Sequence, residues 1–298
     1  MKVFVTGASG FIGMAVVEEL LAAGHQVVGL ARSEEAALKI AALGAVPHRG
    51  DLNDTDSLKS GAAAADGVIH LGFIHDFKNF AAMCAVDEKA IEAMGEVLAG
   101  TKRPLLIASG TAIIHKQGLV TEHDRITHEN APRTASEKAA ARLAEKGVHT
   151  VIIRLSIVHG ENDPGFITLL GGIAKEKGKS AMILDGTNVW PSVHKRDAAH
   201  LIRLALEKEV DPGTYYHAVA EQGVPFKNIA TVIGKKLNLP VVSLQPEEVA
   251  DHFTWFSHFA QFNNLASSEF TQQSLGWTPR HSTLLEDMEA DVYFPANK

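Results

Sequence analysis

The chain has 298 residues, of which 46% are apolar and 21% charged, the balance of an ordinary globular protein with a large core. Its formal net charge of −7, without lysine or arginine clusters, argues against a nucleic-acid partner, and no apolar run is long enough for a membrane span. Cys84 is the single cysteine, which excludes internal disulfides, and a first strand that begins at Lys2 leaves no room for a signal peptide. We therefore expect a cytoplasmic protein.

The start of the chain predicts a strand, a glycine turn and a helix. Residues 2–6 are β-branched or aromatic for the most part, and helix-spaced apolar residues run from position 14 to Gly24. Glycines between them allow a sharp turn, a close approach to a pyrophosphate and close packing of the helix on the sheet. The helix N-terminus would offer its N–H groups to the phosphates. The candidate dinucleotide-binding residues of this turn are Gly7, Ser9, Gly10, Phe11, Ile12 and Gly13.

Strands and helices then alternate as far as residue 155. Predicted strands span residues 2–6, 26–30, 46–48, 67–71, 104–109 and 149–154. This alternation predicts an α/β fold of the Rossmann type, a doubly wound parallel sheet with helices on both faces. After Gly160 we predict a helix over 166–177, a helix capped by Asp197 that runs to Lys208, and a strand near 215–219.

This pattern predicts two parts of unequal size. Residues 1–160 form a Rossmann domain to which residues 193–210 return, and residues 161–192 and 211–298 form a smaller C-terminal substrate-binding lobe. We expect the active site between the two parts, at the carboxyl ends of the strands.

The end of the second predicted strand bears on the choice of cofactor. In NAD-binding Rossmann units an acidic residue at this place accepts hydrogen bonds from the ribose 2′-hydroxyl. Here Arg32 and Ser33 follow the strand, with no carboxylate. Arg32 offers a charged, planar fork for a 2′-phosphate, and the Ser33 hydroxyl can add a donor. We therefore predict NADP as the cofactor.

The segment from Thr6 to Gly13 resembles the nucleotide-binding signature of the extended short-chain dehydrogenase/reductases. That family includes nucleotide-sugar epimerases, dehydratases and hydroxysteroid dehydrogenases. Similar landmarks follow in the family's order at residues 50–52, 68–71, 105–111, 154–160, 193–199 and 275–279. The resemblance covers nearly the whole chain and implies a small-molecule substrate; we also allow for a homodimer.

The resemblance implies roles for residues that follow the later strands. Asp51 and Leu52 match the position that contacts the adenine, although Asp51 can also turn its own loop. Thr111 matches the hydroxyl that contacts the substrate oxygen, where it would stabilise a developing alkoxide. The expected lining on the ribose and nicotinamide side is Leu71, Gly72, Phe73 and Ser109.

The family's catalytic Tyr-x-x-x-Lys is missing, because the tyrosines stand only at positions 215, 216 and 293. Residues 133–138 occupy its expected place and allow two alignments. One puts Arg133 at the tyrosine and Glu137 at the lysine; the other keeps Lys138 as the lysine and puts Thr134 at the tyrosine. Arg133 and Lys138 are candidates for electrostatic stabilisation of the reacting oxygen.

The sequence leaves the proton donor open. His75, His115 and His159 lie at or just past predicted carboxyl ends of strands, and imidazole suits acid catalysis near neutral pH. Water relayed by Thr111 is an equal alternative. None of the 15 histidines belongs to a His-Glu-x-x-His motif and no cysteine pair exists, so we predict no metal site.

Three functions fit these patterns. The first is an NADP(H)-dependent oxidoreductase that moves hydride to or from a small carbonyl or alcohol. The second is a nucleotide-sugar epimerase or dehydratase, which depends more heavily on the missing tyrosine. The third is a dinucleotide-binding sensor or regulator without turnover, since fold alone does not decide function.

Overall fold

A parallel β-sheet occupies the centre of the molecule. The computed structural model describes residues 1–127, 131–290 and 292–294, so parts of both predicted domains (128–130, 291 and 295–298) lie outside the described residues. The strands are β1 (Lys2–Thr6), β2 (Gln26–Ala31), β3 (Val46–Arg49), β4 (Gly67–His70), β5 (Leu105–Gly110), β6 (Leu119–Val120), β7 (Thr150–Leu155), β8 (Ile157–His159), β9 (Ser180–Ile183), β10 (Val189–His194), β11 (Thr214–Ala218), β12 (Glu221–Pro225), β13 (Val241–Leu244) and β14 (Leu265–Ala266).

The central sheet has the strand order β11-β7-β5-β4-β1-β2-β3, and every neighbouring pair in it is parallel. The order reverses at β1, which is the topological switch point of a doubly wound sheet. The predicted Rossmann-type fold is therefore confirmed.

Helices cover both faces of this sheet, and others build the lobe. They are α1 (Phe11–Ala22), α2 (Glu34–Ala42), α3 (Thr55–Ala63), α4 (Phe80–Leu98), α5 (Ala135–Glu145), α6 (Phe166–Lys177), α7 (Lys195–Glu207), α8 (Phe226–Leu237), α9 (Val249–Phe253), α10 (Ser257–Ala260), α11 (Glu269–Leu275) and α12 (Leu284–Glu289). Apolar side chains of α1, α2 and α7 pack on one face, and those of α3, α4 and α5 pack on the other. No helix within the described ranges is long and apolar enough to cross a bilayer.

The lobe has a separate apolar core. Helices α6, α8, α9 and α12 surround it, together with the buried side chains of Trp190, Phe226 and Phe256. Small sheets join it to the rest of the molecule: β10 pairs with β8 and β12, β9 with β13, and β6 with β14. The residues between β4 and α4 and those of α6 and α10 face one another across the edge of the central sheet, where a cleft forms.

Part of the range predicted for the lobe lies instead in the Rossmann part. Strand β11 pairs with β7 in the central sheet, and Trp277 packs in the core beside α7, where its indole N–H donates to Asp197 O at 3.0 Å. Asp197 also does not cap α7; His194 does, by accepting from Arg196 N–H. The Asp197 carboxylate accepts backbone N–H groups of residues 280 and 281. These contacts join segments far apart in sequence, which local patterns do not reveal.

Candidate active site

The turn between β1 and α1 depends on close backbone contacts that leave no room for side chains. Gly7 has a φ of +69°, and a Cβ there would lie 2.8 Å from the Gly72 nitrogen. A Cβ at Gly13 would lie 1.9 Å from the Gly7 carbonyl oxygen. The turn therefore packs against the end of β4 and the first turn of α1 only because these positions are glycine.

The N-terminus of α1 is suited to an anion. Gly10 is its N-cap residue, no side chain caps the helix, and the first turn contains no acidic residue. The first intrahelical hydrogen bond runs from Met14 N–H to Gly10 O, so the three N–H groups between them have no partner in the helix. Together with the helix dipole, these donors fit a pyrophosphate.

A cleft of about 940 Å³ extends from this turn to the lobe. Its wall contains every residue predicted to bind the dinucleotide or to stabilise the reacting oxygen, except Lys138. These residues are Gly7, Ser9, Gly10, Phe11, Ile12, Gly13, Arg32, Ser33, Asp51, Leu52, Leu71, Gly72, Phe73, Ser109, Thr111 and Arg133.

Arg32 marks one end of the cleft. Its side chain is exposed and makes no hydrogen bond or ion pair with another described residue. The nearby Lys39 is already paired with Glu35 at 2.8 Å. Asp51 is engaged with its own loop, because its Oδ1 accepts from the backbone N–H and the side-chain amide of Asn53 at 2.8 and 2.7 Å. Arg32 is therefore the cation at this end with no competing carboxylate partner.

Hydroxyl and amide groups meet in the middle of the cleft. The Thr111 hydroxyl is buried and donates to Asn264 Oδ1 at 2.7 Å, which leaves the Asn264 Nδ2 donors without a partner among the described residues. The buried Ser109 hydroxyl also has no hydrogen-bond partner in that part of the chain. Buried polar groups are normally paired, so the Ser109 hydroxyl fits a bound ligand.

Arg133 lies beside them and is held by a buried network. Its Nη1 donates to Asp87 Oδ2 at 3.2 Å, and its guanidinium lies over the Phe73 ring at 4.4 Å. The other oxygen of Asp87 is 3.0 Å from His70 Nε2, and His70 Nδ1 is 2.7 Å from the Thr6 hydroxyl. Because a carboxylate only accepts, His70 Nε2 donates to Asp87. The Thr6 hydroxyl accepts from Gly72 N–H at 3.1 Å and can donate to His70 Nδ1. The network thus runs from β1 to the guanidinium.

Asp87 is the charged partner in this network. Burial alone would raise its pKa, but the hydrogen bond from His70, the charge of Arg133 and the hydroxyl of Ser136 outweigh burial and lower the pKa. Asp87 therefore remains a carboxylate and fixes the position of Arg133.

The lobe side of the cleft is apolar and aromatic. Phe166, Trp190 and Phe262 line it, and no lysine or arginine does so among the described lobe residues. The one acidic residue of this wall is Asp163, whose pKa is raised by burial to about 6 although Gly165 N–H and the Tyr293 hydroxyl donate to it. The cations of the cleft wall belong to the Rossmann side.

Comparison with known proteins agrees with this architecture. Residues 3–218 match the model of the NAD dependent epimerase/dehydratase family. The chain belongs to this family. It is 50% identical to an uncharacterized protein of Schizosaccharomyces pombe, over 99% of this chain and the whole of that protein. It is 24% identical to the sterol-4-alpha-carboxylate 3-dehydrogenase, decarboxylating, of Dictyostelium discoideum, over 96% of this chain and 93% of the relative.

Solved structures show the same fold. The UDP-glucuronic acid 4-epimerase of Bacillus cereus, in complex with UDP-glucuronic acid and NAD, superimposes with a TM-score of 0.77, at 20% identity and over 99% of both chains. The chain thus has the NAD(P)-binding fold of an epimerase/dehydratase-family enzyme that acts on a small molecule.

Of the two alignments considered for the missing tyrosine, the one with Arg133 places its residue in the cleft wall. Glu137, at the lysine of that alignment, is buried and makes two 2.9 Å hydrogen bonds with Arg154. Ser136 of α5 contacts Asp87 beside the cleft, and Lys138 lies two residues further, about 200° around the helix. Lys138 is therefore not brought to the cleft, contrary to expectation, and Thr134 is buried outside its wall.

The three histidines expected near the site lie in three different places in the structure. His75 lines the cleft; partial burial and the charge of Arg133 lower its pKa, while part of the ring remains exposed to solvent. His115 lines a neighbouring cavity of about 410 Å³. His159 is buried away from the cleft and lies 2.6 Å from Asp287. No cluster of metal-binding side chains occurs among the residues that the structure describes.

Sequence reasoning missed the residues that reach the cleft from a distance. Asn264 and Phe262 follow a short lobe helix and have no motif around them. Asp87 lies on a helix that local patterns assign only to the core. The pair of successive asparagines at 263 and 264, unusual after an apolar helix, is the one signal in this region.

Proposed function

We propose that this protein is an NADP(H)-dependent oxidoreductase that transfers hydride to or from a small apolar carbonyl or alcohol. The observation that carries this proposal is the chemistry of the two cleft halves. The Rossmann half offers helix N–H groups and Arg32, whereas the described lobe half offers aromatic rings and no cation. A nucleotide sugar would bring a diphosphate into the lobe half, where no described side chain of the cleft wall carries a positive charge to neutralise it.

The residues of the Rossmann half suit the dinucleotide. The N–H groups at the start of α1 would hold its pyrophosphate, and Arg32 with Ser33 would hold a 2′-phosphate. The Ser109 hydroxyl, which lacks a protein partner in the described chain, fits a ribose or amide group beside β5. When bound, the nicotinamide supplies the hydride.

Arg133 and Asn264 take the role of polarising the substrate oxygen. The guanidinium is permanently charged and is fixed by Asp87, so it can stabilise a developing alkoxide without reorganising. The Thr111 hydroxyl donates to Asn264 Oδ1 and thereby turns the Asn264 Nδ2 donors toward the remaining space. Thr111 therefore acts through Asn264, as a positioning residue.

The proton of the alcohol product comes from water in this proposal. A guanidinium and a threonine hydroxyl are both far too weak as acids to supply this proton. Consequently the kcat/KM of carbonyl reduction does not fall between about pH 5 and 8, the range in which histidine side chains titrate, including one whose pKa is lowered. A fall through this range that a His75→Phe variant abolishes would instead assign the proton to His75, whose pKa is lowered.

The proposal is tested by NADPH oxidation against aldehydes, ketones and UDP-sugars. We expect turnover of apolar carbonyl compounds, and a loss of kcat of about 10²–10³-fold in Arg133→Met with little change in NADPH affinity. Arg142→Met is the matched control, because Arg142 lies on α5, the helix that follows Arg133, but pairs with Glu88 and Glu92 outside the cleft.

Two results would contradict the proposal. Turnover of UDP-sugars alone would favour an epimerase or dehydratase. NADPH binding without turnover of any compound would favour a sensor, the function that the retained cleft and missing tyrosine also allow.

A further inference from the structure

A continuous series of aromatic contacts runs from one wall of the cleft to the other. Phe73 and His75 of the Rossmann wall are 5.2 Å apart, and His75 is 6.2 Å from Phe77. Phe77 is 6.1 Å from Phe259, which is 4.9 Å from Phe166 of the lobe wall. Phe73, His75 and Phe166 line the cleft, whereas Phe77 and Phe259 do not. Phe77 and Phe259 therefore bridge the two halves outside the cavity.

Phe77, Trp255 and Phe259 form this aromatic bridge. The Phe77 and Trp255 rings stack at 5.2 Å with an interplanar angle of 30°. They come from different halves, Phe77 from the turn before α4 and Trp255 from the turn between α9 and α10. Phe77 is 43% and Trp255 51% exposed, so this contact between the halves lies at the surface, at the rim of the cleft.

The two chain segments that carry the bridge residues are held mainly by contacts within each segment. Hydrogen bonds of residues 73–79 to other described residues stay within that segment, apart from the continuation into α4. On the lobe side, Thr254 precedes Trp255 with a φ of +51° and a ψ of −126°, a conformation that a β-branched residue rarely adopts. Strain of this kind persists where the surrounding structure holds it and is common at ligand clamps and switch regions.

We propose that the aromatic bridge is the size filter of the substrate half of the cleft. The Phe77–Trp255 stack ties the two walls together, because Phe77 contacts His75 of the Rossmann wall and Phe259 contacts Phe166 of the lobe wall. Compact carbonyl compounds therefore fit between the walls, and longer or two-ring compounds enter only when the stack separates. This inference rests on the proposed function for the identity of the substrate. The effect of the stack on the size of the cleft can also be measured without turnover, from the affinity for a dye.

The kinetic test compares benzaldehyde with biphenyl-4-carbaldehyde, using NADPH and the full-length protein. In Phe77→Ala we expect the ratio of kcat/KM for the larger to that for the smaller aldehyde to rise about tenfold. Trp255→Ala should give the same rise, and the double variant no more, because either change breaks the same stack. Phe270→Ala is the control, since Phe270 is an exposed aromatic residue that stacks on Tyr216 outside the cleft.

A second measurement is independent of turnover. Anilinonaphthalene sulfonate, an apolar dye with two ring systems, is titrated into the NADP⁺-saturated protein. Phe77→Ala and Trp255→Ala should bind it about tenfold more tightly than the parent and Phe270→Ala do. If the parent reduces no carbonyl compound, the proposed function fails and the dye still tests the filter. The inference would be overturned if neither bridge variant changed the affinity for the dye or, where it can be measured, the ratio of the two aldehydes.

Discussion

Replacing Arg32 with alanine should separate the two nicotinamide cofactors. Arg32 is exposed at the cleft end and has no partner among the described residues, so its removal leaves no buried charge behind. A hydrogen bond to a charged group contributes about 1.5–3 kcal/mol, and solvent exposure favours the lower end of that range. At about 1.4 kcal/mol for each tenfold, NADPH should bind roughly 10–30-fold more weakly to Arg32→Ala.

The assay is fluorescence titration of NADPH and NADH into the parent and into two variants. NADH affinity should be unchanged in Arg32→Ala, because NADH has no 2′-phosphate. Arg49→Ala is the matched control: Arg49 lies at the end of the adjacent strand, pairs with Glu34 and is not part of the cleft wall. The reasoning would be refuted if the parent bound NADPH and NADH equally well, or if Arg32→Ala weakened the binding of both cofactors by the same factor.

Three further predictions follow from contacts within the fold. Gly13→Ala, whose Cβ would lie 1.9 Å from Gly7 O, should weaken NADPH and NADH binding by the same factor in that titration. Thr111→Val removes the donor to Asn264 and should lower kcat while NADPH affinity stays within twofold, about 0.4 kcal/mol, in steady-state assays. Burial and the nearby Arg154 charge lower the pKa of His217 to about 4. The neutral His217 therefore stabilises the fold fully above its unfolded pKa of 6.5, and this stabilisation is lost as the pH falls toward 4. In urea unfolding, the free energy of unfolding of the parent should fall by up to about 3 kcal/mol over this range, a decrease that His217→Gln should not show.

Local patterns were sufficient to predict most of the sheet and the glycine turn between β1 and α1. The strand and helix periods predicted the Rossmann strands within one or two residues and the helix Phe166–Lys177 at its observed bounds. The need for glycine at positions 7 and 13 could be predicted from the sequence, because Gly13 approaches the backbone of Gly7, only one turn away along the chain. The roles assigned to these residues stay predictions that the experiments above test.

Local sequence patterns could not predict the contacts between residues far apart in the sequence. Asn264 meets Thr111 across 153 residues of sequence, and no periodicity encodes that meeting. The choice between Arg133 and Lys138 depended on which face of α5 turns to the cleft. The buried contact of Glu137 with Arg154 and that of Ser136 with Asp87 set this orientation.

The Glu137–Arg154 pair has a consequence for any attempt to install the missing motif. In the alignment that has Arg133 at the tyrosine, Glu137 stands at the lysine of the motif, and Arg154 is fully buried against it. Introducing the motif by Arg133→Tyr and Glu137→Lys would set an ammonium beside a guanidinium with no solvent to separate them. Breaking such a pair costs about 3–5 kcal/mol, a large share of a domain's total stability. Two substitutions therefore do not suffice to install the motif, because Arg154 must change with them.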